Sequence, residues 1–184
     1  MSDHHVDAAT LDAALAHLRA APKEVGTLEL IVRRPQVDAR EILHEARLEP
    51  DEGLVGDNWR ERGSRHTEDG SAHPLMQLNV TSARMSALLA PDTEGRARAG
   101  DQLHVDLDLS LTNLPPGTRL ALGDAVIEVT ERPHNGCAKY RRRFGDDALR
   151  FVNSPRGKEL RLRGLNARVL RAGTVRTGDA VTRL

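Results

Sequence analysis

The stretch Leu103-His104-Val105-Asp106-Leu107-Asp108-Leu109 decides the fold. Leucine or valine occupies every second position, with His104, Asp106 and Asp108 between them. Successive side chains of a strand point to opposite faces, so this period of two predicts a strand with one apolar face. Pro115-Pro116-Gly117 stops it, and residues 120–130 then predict two strand pieces across the Gly123-Asp124 turn. A strand at 167–172 and a last one at 180–184 follow, separated by turns at Gly173 and Gly178. Working toward the N-terminus, residues 75–80 and 42–48 predict short strands. Residues 25–34 predict a longer one with Leu28, Leu30 and Val32 on one face. Helical spacing occurs at 10–21, with Thr10 as cap and Leu11, Leu15 and Leu18 as a face. It recurs at 81–89, with Met85, Leu88 and Leu89, and at 137–152. The polar segments 58–74 and 91–99 read as loops, and the first is long enough to point to function. Short strands, frequent glycine and proline turns and few helices predict an α+β, β-rich domain. A barrel-like sheet would carry a few peripheral helices.

The chain has 184 residues, enough for one domain that buries roughly 70% of its unfolded surface. Residues 1–24 read as an N-terminal tail and helix, and residues 25–184 as the main domain. Aromatics are 2% of the chain, so leucine, valine, isoleucine and alanine must build the core. Twenty-seven basic and 27 acidic residues give no net charge, which argues against nucleic acid or an anionic membrane as partner. Lys23, Lys139 and Lys158 are the only lysines; arginine supplies the other cations and suits bidentate binding of phosphate or carboxylate. The one cysteine excludes an internal disulfide and a cysteine-rich zinc site. The N-terminus has no apolar signal core and no segment is apolar enough to span a membrane, so the expected location is cytoplasmic.

The chemistry concentrates in Arg132-Pro133-His134-Asn135-Gly136-Cys137-Ala138-Lys139-Tyr140-Arg141-Arg142-Arg143. Cations near a thiol increase its thiolate fraction, and a thiolate serves as nucleophile or soft-metal ligand. The residues alone leave a plainer reading open: a lone cysteine is often a small buried hydrophobe, and an arginine run is often the solvated face of a helix. His134 and Cys137 supply two metal ligands where zinc wants three or four, unless His66 and His73 join them. A cysteine hydrolase would need an orienting group and an oxyanion hole, and no motif marks either. A helix turns about 100° per residue, so at most two of Arg141, Arg142 and Arg143 can face one ligand.

The ordered series of segments resembles the MOSC family, named for the C-terminal domain of molybdenum cofactor sulfurases. The resemblance spans roughly residues 25–184. It rests on Arg34-Pro35, Gly53-Leu54-Val55-Gly56-Asp57, Gln77, Leu109 to Gly117 with Asn113, Leu122-Gly123-Asp124-Ala125, the Cys137 segment, Arg163-Gly164-Leu165-Asn166, and Gly173 to Asp179. Two positions depart from the family pattern. Thr112 stands where glutamate is usual, and three residues separate Pro133 from Cys137 where the proline usually adjoins the cysteine. The resemblance implies a small stand-alone MOSC-type barrel in which Cys137 carries sulfur as a persulfide or ligates molybdenum, with His134 beside it. It implies that Arg132, Lys139, Arg141, Arg142, Arg143 and Asn113 bind the phosphorylated pterin cofactor, and that the partner is a sulfur donor or a redox protein. Two alternatives stay open: a molybdenum-dependent reductase of N-hydroxylated compounds fed by a partner electron donor, and a non-catalytic anion-binding relative. The chain is too short to hold a pyridoxal-phosphate desulfurase domain, so that cofactor is not expected and the chain is no cysteine desulfurase by itself.

Overall fold

A computed structural model describes residues 5–184. Helices α1 (Ala8–Ala13) and α2 (Leu15–Arg19) lead into β1 (Val25–Arg33), β2 (Glu41–Leu43), β3 (Glu45–Glu49) and β4 (Gly53–Leu54). Next come α3 (Trp59–Arg62), β5 (Leu78–Ser82), α4 (Ala83–Leu89), α5 (Thr93–Ala97) and β6 (Leu103–Asp106). The hairpin β7 (Arg119–Leu122) and β8 (Ala125–Val129) precedes α6 (Ala138–Asn153) and α7 (Pro155–Glu159). Strands β9 (Leu165–Arg171), β10 (Gly173–Arg176) and β11 (Ala180–Arg183) end the chain.

Seven strands close into a barrel in the order β1-β6-β5-β9-β8-β7-β11, with β11 returning to β1. Closure leaves no unpaired edge in that ring. β5 and β6 run parallel, and the other barrel pairs are antiparallel. β2 extends β1 outward, and β10, β3 and β4 form a second, three-stranded sheet. The alternation of residues 103–109 fills the barrel: Leu103, Val105, Leu107 and Leu109 pack with Leu28, Ile31, Leu120, Ile127 and Val181.

Several sequence expectations are corrected. Leu28, Leu30 and Val32 do not share a face. A β-bulge between Leu28 and Leu30 in the pairing with β6 shifts the register, so Leu28 and Ile31 point into the barrel. Leu30 and Val32 turn outward onto Ala97 of α5. A one-residue shift exchanges strand faces, and a simple count by twos cannot anticipate it. Segment 91–99, expected as loop, holds α5, whose N-terminus is capped by Asp92 Oδ1 accepting from Gly95 N at 2.7 Å. Segment 58–74 contains the single turn α3. Asp7, not Thr10, caps the first helix, and that helix divides at Ala14 into α1 and α2. Residues 1–4 of the expected tail lie outside the described residues.

A second apolar cluster lies outside the barrel. Leu11 and Leu18 of the N-terminal helices meet Met85, Tyr140, Phe144, Ala148 and Val152 there. Its centre is α6, which has Cys137 as its N-cap residue and breaks at Gly145, where φ is +90°. Only glycine takes such a conformation readily, so the two halves of α6 point differently.

Candidate functional site: a cationic cleft around Cys137

Two buried networks assemble one end of the barrel. The first begins at Arg34, just past the end of β1. Its Nε and Nη2 each lie 2.8 Å from an oxygen of Asp57, and its Nη1 donates to Asn79 Oδ1 at 2.9 Å and to Gly100 O at 3.0 Å. Asn79 Nδ2 donates to Asn166 Oδ1 at 2.7 Å, and Asn166 Nδ2 donates to the carbonyls of Arg132 and Pro133. The chain of bonds therefore reaches the backbone of the loop that carries Cys137. A buried guanidinium needs such full pairing, because each donor left without a partner is costly.

The second network centres on Asp101, which is wholly buried. Arg163 Nη1 lies 2.7 and 2.6 Å from its two oxygens, and His134 Nε2 lies 2.7 Å from Oδ1. Burial alone would raise the Asp101 carboxyl; the Arg163 guanidinium and the His134 bond outweigh it and hold the group well below the usual carboxylate range. With Asp101 ionised, His134 must present Nε2–H to it, which leaves Nδ1 as the acceptor of the ring. Burial, reinforced by Arg163, pushes His134 below the usual imidazole range. The Arg163 guanidinium also lies 4.8 Å from the centre of the Tyr140 ring, a cation–π contact that fixes the start of α6.

Cys137 stands exposed at the N-cap of α6, and its side chain makes no cap hydrogen bond. It opens onto a cleft lined by six cations: Arg34, Arg40, Arg62, Lys139, Arg143 and Arg163. Asp57 and Asp101 neutralise the two innermost. Of the others, Arg143 meets Asp38 at 3.2 Å, and Arg40 donates to its neighbour carbonyl Ala39 O. Arg40 is driven below its ordinary value by burial and by Arg143 and Arg34, and Arg62 by burial and Arg34. Two buried polar atoms of the cleft, Arg40 Nε and Asn58 Oδ1, have no partner among the described residues. Gly100 forms part of the wall. A Cβ there would stand 3.0 Å from Arg40 Nη2 and 3.3 Å from Arg143 Nη1, at a φ of +86°. Excess positive charge around an open space is an arrangement for an anion.

The sequence candidates divide. Cys137, Lys139 and Arg143 line this cleft together. Arg141 points away into an ion pair with Asp146, and Arg142 is solvent-exposed, as the turn of a helix requires. Arg132 donates to His73 Nε2 at 3.2 Å and, with His134, lines a different pocket behind the loop. Asn113 is buried, with Nδ2 donating to Lys23 O and Asp108 O. Lys23 precedes β1 and Arg34 follows it, so Asn113 sits roughly 30 Å along the strand from the cleft. His66 and His73 do not complete a metal site: among the described residues no group of three metal-ligating side chains comes together. Segment 58–74, whose length pointed to function, reaches the Cys137 cleft through Asn58 and Arg62. Pattern reading did not single out Arg40 or the Asp101–Arg163 pair, whereas Arg62 lies in the loop whose length already pointed to function. Gly100-Asp101 reads in sequence as an ordinary turn, and Arg163 stands out only within the Arg163-Gly164-Leu165-Asn166 segment.

No helix among the described residues is long and apolar enough to cross a membrane. No curated protein sequence matches the chain. Among solved structures, the YuaD protein of Bacillus subtilis superposes with a TM-score of 0.65 at 16% identity, covering 85% of this chain and 94% of that one. YiiM of Escherichia coli gives 0.54 at 17% identity over 86% and 69% of the two chains. YiiM of Geobacillus stearothermophilus gives 0.50 at 12% over 89% and 74%. These likenesses carry the fold. A family model for the MOSC domain matches residues 84–182, which include α6, Cys137 and most of the barrel. With more than half its length matched, the chain belongs to the MOSC domain family.

Proposed function

We propose that the cleft binds the phosphorylated pterin form of molybdenum cofactor and that Cys137 is the protein's thiolate ligand to it. The observation that supports this best is the meeting of a reachable thiol with six cations in one cleft. The residues fit such a group: Arg40 Nε lacks a partner among the described residues, Gly100 keeps the space beneath Arg40 and Arg143 open, and a thiolate is a soft ligand suited to the metal. Lys139, Arg143, Arg40 and Arg62 would hold the phosphate and pterin, with Arg34 and Arg163 fixed behind them as permanent positive charge. When bound, the cofactor supplies two-electron oxygen or sulfur transfer chemistry. The chain's own part is to hold the loop through Asn166, orient the start of α6 through Arg163, and present Cys137 without a competing hydrogen bond. A reductase activity on N-hydroxylated compounds would draw its electrons from a partner protein.

The exposure of Cys137 also favours sulfur relay. Its thiolate would attack the outer sulfur of a donor protein's persulfide, break the donor S–S bond and release the donor as a thiolate, leaving the persulfide on Cys137. Both readings need a reduced thiol and so a reducing compartment such as the cytoplasm. Iodoacetamide labelling tests the shared core. Cys137 should label in the native protein, and pyrophosphate should slow the labelling by occupying the cations beside it. A thiol that reacts only after denaturation, or at a rate indifferent to pyrophosphate, would refute the reading.

A further inference from the structure

Behind the Cys137 loop lies a second pocket that shares only Arg163 with the first. Residues 131–135, the segment 157–165 and the connection between β6 and β7 enclose it. Its floor is apolar, built from Pro116, Val152 and Leu165, and Leu111 extends it to the rim. Leu111 is 47% exposed, an apolar side chain left open to solvent at the mouth of the pocket. The volume is about 190 Å³. A cavity of roughly 150 Å³ accepts a benzene ring, so one ring or a short acyl chain fits.

Besides Arg163, which is paired with Asp101, three cations line this pocket: Arg132, Lys158 and Arg161. None of them makes an ion pair among the described residues; Arg132 meets His73, and Arg161 Nη1 donates to Leu114 O at 2.5 Å. Arg161 is held in the left-handed region, with φ +45°, a conformation that a residue bearing a Cβ adopts at a cost. Burial, with no carboxylate to offset it, lowers its affinity for a proton. His134 lines the same pocket. Its Nε2–H is committed to Asp101, so Nδ1 remains as an acceptor. Glu131 is the one carboxylate of the lining.

We propose that this pocket binds a small monoanion with an apolar body, a single-ring or short-chain carboxylate. The carboxylate meets Arg161, Lys158 and Arg132, the body lies on Val152, Leu165 and Leu111, and a donor on the ligand reaches His134 Nδ1. This inference stands apart from the reading of the Cys137 cleft, because Lys158, Arg161 and the apolar floor do not line that cleft.

The test is calorimetric titration of the full chain with 4-hydroxybenzoate, with 4-hydroxybenzamide and inorganic phosphate for comparison. 4-Hydroxybenzoate should bind saturably at one site, and the uncharged amide should bind at least about tenfold more weakly. Inorganic phosphate should not displace it. Lys158→Gln and Leu111→Asp change exposed side chains and should fold normally; each should raise Kd about tenfold or more. Cys137→Ser should leave Kd unchanged. The ring nitrogen resonances of His134 should move on binding, which a merely structural histidine would not show. Absence of saturable binding, equal affinity for the amide, displacement by phosphate, or indifference to both Lys158→Gln and Leu111→Asp would each overturn the proposal.

Discussion

Arg163 and Asp101 form an ion pair at 2.6 Å from which water is almost wholly excluded: their side chains are 8% and 0% exposed. The pair joins the start of β9 to the start of β6, and through His134 it also secures the loop that leads to Cys137. Replacing Asp101 by Asn leaves the Arg163 charge buried without its counter-ion. Loss of one partner of such a pair costs about 3–5 kcal/mol. Denaturant unfolding of Asp101→Asn should show a loss of that order. An exposed pair such as Arg141–Asp146, removed by Asp146→Asn, should change stability by less than about 1 kcal/mol.

Acid should weaken the fold in two stages. His104 lies under α4, 1% exposed, with Nδ1 3.0 Å from Ser86 Oγ and Nε2 without a hydrogen-bond partner among the described residues. Ser86 Oγ donates to Ala83 O, so Nδ1 carries the proton and the ring is neutral. Burial pushes His104 down to about 4 from an ordinary value of 6.5. The unfolded chain therefore binds a proton that the folded one refuses between those values. Stability falls as pH drops through that window, by up to about 3 kcal/mol for His104, and His134 adds in the same direction. Asp101, held below its unfolded value, adds its loss only at more acid pH. Urea midpoints measured from pH 7 to pH 4 should decline in the native protein and decline less in His104→Leu.

The cleft cations should act through binding and hardly through stability. Lys139→Gln and Arg143→Gln should each weaken pyrophosphate binding about tenfold and flatten its salt dependence, with Tm nearly constant. Arg141→Gln and Arg142→Gln, from the same arginine run, should change neither quantity, since both side chains face solvent. Equal effects from all four would mean a diffuse basic surface and no cleft.

The barrel was legible because residues 103–109 keep a strict period of two, and turn residues stand where the β7–β8 hairpin closes. The face reversal in β1 was not, since a bulge depends on how β1 pairs with β6 and leaves no mark in its own sequence. Cys137 stood out by its cationic neighbourhood, and α6 does start there. The cleft itself was half hidden. Arg34, Arg40, Arg62 and Arg163 come from four separate segments, and only closure of the barrel and the packing of its loops bring them to one place. Asn113 shows the converse: a polar residue in a recognisable segment whose bonds go to Lys23 and Asp108.

The central claim is that Cys137 and the cations around it hold a molybdenum-bearing cofactor. The direct measurement is molybdenum per chain, by elemental analysis, in native protein and Cys137→Ser purified from a host that makes the cofactor. The account predicts metal in the native protein and its loss, with an unchanged unfolding profile, in Cys137→Ser. Native protein without molybdenum, or equal molybdenum in both, would contradict it.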